Sequence, residues 1–133
     1  MSSVPAIGTI LLGTRDPERL RSWYERAFGV TPDPLDRFLR FGEVGVLIDA
    51  RTDVAAATAE PGRVILNMHV ADAQAVARHL DAVMNVTWVA PLEYRERPGA
   101  WFGTCTDPDG NYVQIIELTE AYHALRAAAS ADA

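Results

Sequence analysis

The chain has 133 residues, 49% apolar and 23% charged, which suits one soluble domain with its own core. A net charge of −6 without any clustered Lys/Arg run argues against nucleic acid, and no apolar run approaches the ~20 residues that span a bilayer. The opening MSSVPAIG has no basic segment leading an apolar one, so no secretory leader is expected, and the lone Cys105 can close no internal disulfide. Together these features lead to the expectation of a cytoplasmic protein. Cys105 by itself also builds no thiolate metal site, and it reads as a small buried strand residue.

Ile7 to Leu12 is a β-branched and aliphatic run, which predicts a strand. Asp16 follows as a helix N-cap, with Pro17 at the first helical position, where a missing N–H costs nothing. Leu20, Trp23, Tyr24, Ala27 and Phe28 then recur at helical spacing, and Gly29 is placed to end the helix in the left-handed region. A short second strand near Val30 to Asp33 is broken by Pro32 and Pro34. Gly42 to Asp49, GEVGVLID, reads as the second arm of a hairpin. Arg51 to Arg63 reads as a linker.

The pattern then restarts. Val64 to Val70 is a strand, Asp72 an N-cap, and Val76, Leu80, Val83 and Met84 an apolar helix face ending at Asn85. Asp16 and Asp72 stand 56 residues apart, and at that offset Leu20 meets Val76, Tyr24 meets Leu80 and Phe28 meets Met84. Gly110 to Glu117, GNYVQIIE, matches GEVGVLID at an offset of 68, so twelve extra residues enter the second module before this hairpin. The chain is therefore an internal repeat. Module one spans about 5–50, a linker 51–63, module two about 64–118, and a tail from 119 to 133 reads as a short, fraying helix. In the turn TDPDGN, Asp107, Pro108 and Gly110 have the chemistry of a hairpin, so Asp107 and Asp109 are not read as an acid–base pair.

Two tandem βαβββ modules, with RDPERLRSWYERAFGV early and TDPDGNYVQIIEL late, resemble the vicinal oxygen chelate superfamily of glyoxalases, bleomycin-resistance proteins and extradiol dioxygenases. The resemblance implies an α+β fold, with a curled, half-barrel-like arrangement of eight strands around a cleft, and a homodimer. In metal-using members one ligand lies on each module's first strand and one on each module's last strand. Carried over, those positions are Thr9, Val46, Ile65 and Gln114. A divalent metal wants imidazole nitrogens and carboxylate oxygens, so no metal or other cofactor is expected.

Strand alternation extends the inward face from these positions. Ile65 brings Asn67 and His69, Gln114 brings Tyr112 and Ile116, and Thr9 brings Leu11 and Gly13. Val44, Val46 and Ile48 would complete an apolar first-module share, while Asp49 and Glu117 fall on the outer parity. The candidate ligand-binding residues are Thr9, Asn67, His69, Trp101, Tyr112 and Gln114. Trp101 and Phe102 either stack on a flat ligand or fill the core, and His69 is either a general base or a partnered core histidine. His79 and His123 read as surface residues on helices.

Two functions fit this reading. One is metal-independent binding of a small molecule, of the sequestration or resistance type, with the negative charge favouring a cation at long range. The other is an isomerase, epimerase or lyase working next to a carbonyl, with His69 as base and Gln114 and Tyr112 holding developing oxyanion charge. A metal-dependent glyoxalase or dioxygenase would require a different strand register.

Overall fold

A computed structural model describes residues 3–131 of the chain. Residues 1, 2, 132 and 133, which carry the start of the leader reading and the end of the tail reading, lie outside it. The chain falls into two units, one running to Ala59 and the other starting at Glu60.

The first unit contains β1 (Thr9–Thr14), α1 (Pro17–Phe28), β2 (Leu39–Phe41) and β3 (Val44–Ala50). Asp16 starts α1, its Oδ1 accepting from the Arg19 N–H at 3.1 Å, and Gly29 ends it at φ 67°. Leu20, Tyr24 and Ala27 are buried, as the helical spacing predicts, and the Trp23 ring stands edge-on to Tyr24. The three strands lie in the order β1-β3-β2, with β1 parallel and β2 antiparallel to β3.

The short strand expected near Val30 to Asp33 is reduced to one isolated bridge, Pro32 to Leu39. Pro32 and Pro34 lack N–H donors, and the Asp33 carboxylate bonds the Leu35 N–H at 2.8 Å, which turns the chain at once. The described strands therefore number seven, in two separate sheets, rather than eight.

The second unit contains β4 (Leu66–His69), α2 (Ala73–His79), β5 (Trp88–Arg95), β6 (Ala100–Thr106), β7 (Tyr112–Leu118) and α3 (Glu120–Ala131). Its sheet order is β4-β7-β6-β5, with β4 parallel to β7 and the other pairs antiparallel. Asp72 caps α2 through the Ala75 N–H at 3.0 Å. After α2 the chain widens into a π-helical turn, Leu80–Met84, closed by Asn85 at φ 51°. The extra residue in that turn rotates Val83 outward. It is 52% exposed and not on the buried face expected for it, while Leu80 stays fully buried. The pairing of β5 with β6 is irregular between Trp88 and Glu93, where Pro91 has no N–H to give.

Glu117 lies on the outer parity, against the start of α2. Its Oε1 accepts from the Ala73 N–H at 2.8 Å, so a side chain from β7 fills one of the open donors at the start of α2. Glu117→Ala is expected to lower the unfolding free energy by about 1–2 kcal/mol, and Glu117→Gln to restore part of it. Chemical denaturation of the three proteins checks this. Equal stability of all three would remove Glu117 from the α2 start.

Candidate functional site

The register of the second unit sorts its side chains onto two faces. Leu66 pairs with Val113 and Met68 with Ile115, and Met68, Val113 and Ile115 are buried on the face that carries Glu117 and meets α2. Asn67 pairs with Gln114 and His69 with Ile116 on the opposite face. Across β6, Thr104 pairs with Gln114, Phe102 with Ile116, and Thr106 with Tyr112. The open face therefore brings together Asn67, His69, Tyr112 and Gln114, four of the six predicted residues, and adds Thr104 and Phe102. Asn67 and His69 are exposed, while Tyr112, Gln114, Thr104 and Phe102 are half-buried. The side chains of Asn67, His69, Thr104 and Gln114 make no hydrogen bond within the described residues.

Trp101 is not brought to this face. It pairs with Glu117 and leans on Tyr94, ring centres 5.4 Å apart, on the α2 side of the sheet. Its neighbour Phe102 faces the open side instead, with the Arg95 guanidinium 5.2 Å from its ring centre. Strand alternation alone separates these two adjacent aromatics. His79 and His123 lie on α2 and α3, His123 exposed and His79 half-buried.

Thr9 lies in the first unit, exposed, paired with Gly45. There the register overturns the expected parity of β3. Val46 pairs with Ile10 and Ile48 with Leu12, on the face opposite Thr9, and they are only 3% and 6% exposed. Leu11, Leu47, Gly13 and Asp49 share the Thr9 side. The cause is the turn. Gly42 and Glu43 alone join Phe41 to Val44, whereas residues 107–111 join Thr106 to Tyr112. Aligning Gly42 with Gly110 therefore displaces β3 by one residue, and Leu47, not Val46, occupies the place of Gln114. Asp49 consequently faces the Thr9 side, and Arg51 binds it at 3.6 Å.

No protein-family model matches the chain, and no curated protein matches it by sequence. Solved structures do match. A glyoxalase-related enzyme from Fulvimarina pelagi is 22% identical, with 86% of this chain and 88% of that one covered and a TM-score of 0.66. A glyoxalase/bleomycin resistance protein/dioxygenase family enzyme from Burkholderia phytofirmans PsJN is 16% identical, covering 86% and 100%, with a TM-score of 0.68. The fold is that of the vicinal oxygen chelate superfamily. A lactoylglutathione lyase from Agrobacterium tumefaciens has it too, at 18% identity, 87% and 96% coverage and a TM-score of 0.62.

The vicinal oxygen chelate fold implies metal-ligand positions on the first and last strand of each module. In the first unit these are Thr9 and, by the observed register, Leu47. In the second they are Ile65 and Gln114. Each unit thus offers a single neutral donor at these positions, a hydroxyl in the first and an amide in the second, and neither fits a divalent metal, which needs imidazole or carboxylate donors. Among the described residues no three His, Cys, Asp or Glu side chains group to hold a metal ion.

Proposed function

We propose that the chain is a metal-independent small-molecule binder of the glyoxalase/bleomycin-resistance kind, with its ligand on the open face of the second unit. The observation that carries this is the row Asn67, Gln114 and Thr104, three polar side chains on adjacent strands with no hydrogen-bond partner among the described residues. Beside it the half-buried Phe102 supplies apolar contact over the buried Ile116. A largely apolar surface with a few convergent polar groups is what small-molecule sites are made of. The reading includes a cytoplasmic homodimer, in keeping with the superfamily.

The alternative, an isomerase, epimerase or lyase with His69 as base, shares the same face. A working base is held in orientation by a second group, and no described side chain bonds the His69 imidazole.

Metal analysis and a thermal-shift screen test the proposal. The dialysed protein is expected to carry no stoichiometric Zn, Ni, Mn or Fe. A true ligand at 100 times its Kd should stabilise the fold by about 2.7 kcal/mol, and His69→Ala with Gln114→Leu should remove most of that. A hit should be recovered unchanged after long incubation. Tightly held metal would sink the metal-free reading, and a chemically altered hit would favour the enzyme.

A further inference from the structure

The open face of the second unit carries two rows of different chemistry. One row is Asn67, Gln114 and Thr104, on the adjacent strands β4, β7 and β6. Neighbouring strands lie about 4.8 Å apart, so two carboxamides and a hydroxyl form a continuous strip. The second row, two residues further along, is His69, Ile116, Phe102 and Glu93. It lies about 7 Å from the first. Ile116, only 7% exposed, is its apolar centre.

The charges next to this face are already matched. Glu93 Oε1 accepts from Arg95 Nε at 2.9 Å, and the same guanidinium lies against the Phe102 ring. An ionised ligand group laid on the amide strip meets no formal counter-charge within it, since Asn67, Gln114 and Thr104 are neutral. Neutral amide and hydroxyl donors would return only part of the hydration it loses. A neutral carboxamide differs. It presents N–H donors and a carbonyl acceptor together, and Asn67 and Gln114 each present the complementary pair. A flat group of this kind satisfies both amides while its body lies towards the half-buried Phe102.

Resting on the binding reading above, we propose that the strip selects an uncharged, planar carboxamide, lactam or imide group attached to an apolar body. This inference is independent of the protein's net charge of −6, which favours cations only at long range.

Benzamide, benzoate and benzamidine provide the test, because they share one flat body and differ in the charge of the head. Each is titrated into the full chain, labelled with nitrogen-15. The side-chain amides of Asn67 and Gln114 and the backbone amides of Thr104 and Ile116 are followed by NMR. Fragments of this size bind in about the millimolar range. Benzamide is expected to bind about tenfold more tightly than either ion and to move both side-chain amides. Gln114→Leu, and separately the exposed-site change Asn67→Leu, should abolish the preference while the spectrum stays folded.

Equal or tighter binding of benzoate or benzamidine on this face would overturn the neutral-head inference and leave the binding site standing. Shifts absent from this face with all three probes would overturn both. A preference for benzamide that survives both variants would overturn the role of the strip.

Discussion

Asp107→Ala is expected to cost about 2–4 kcal/mol of unfolding free energy. Asp107 is only 5% exposed. Its Oδ1 accepts from the Asp109 N–H at 2.9 Å and the Asn111 N–H at 3.0 Å, and its Oδ2 accepts from Asn111 Nδ2 at 2.9 Å. Alanine leaves these donors facing no acceptor, and a buried donor left unmet costs more than the bond itself contributes. The turn has consequences for the site. It delivers Tyr112 opposite Thr106, and that register sets Gln114 beside Thr104. The variant should therefore also weaken ligand-induced stabilisation. Urea denaturation reads the first effect, and a ligand titration the second. A change within about 0.5 kcal/mol would show that the turn holds without its carboxylate.

The features legible in the sequence are the ones with local causes. Asp16, Gly29, Asp72 and Asn85 bound their helices where side-chain chemistry places them. The alternation through Asn67, His69, Tyr112 and Gln114 was equally plain, because the β4 and β7 runs contain no bulge. What could not be read were the non-local pairings. The one-residue displacement of β3 depends on which residue of β1 it meets, and a shared glycine in two turns of different length hides it. The faces of Trp101 and Phe102 depend likewise on how β6 meets β7. Phe102 at the site and Val83 outside the core follow from tertiary pairing and a π-helical turn, neither of which leaves a mark in hydrophobic period.

Cys105 should be almost inert to thiol reagents in the native protein and become reactive on unfolding. It is fully buried, and desolvation, reinforced by the nearby Asp107 carboxylate, pushes its pKa from an ordinary 9.0 to about 11. Near neutral pH this cuts the thiolate fraction, and with it the reaction rate, about a hundredfold before access is counted. This also removes it as a nucleophile. The same shift has a sign in stability. The folded chain holds the thiol proton more tightly than the unfolded chain, so unfolding is favoured as the pH rises. The contribution is fully present below pH 9.0 and is lost towards about 11. Cys105→Ala should therefore flatten the alkaline fall in stability across that window, even if the lost sulfur lowers stability at every pH. Paired denaturation series at neutral pH and pH 10.5, together with labelling rates in native and denaturing buffer, check both parts. Rapid native labelling would mean that Cys105 is neither buried nor held protonated.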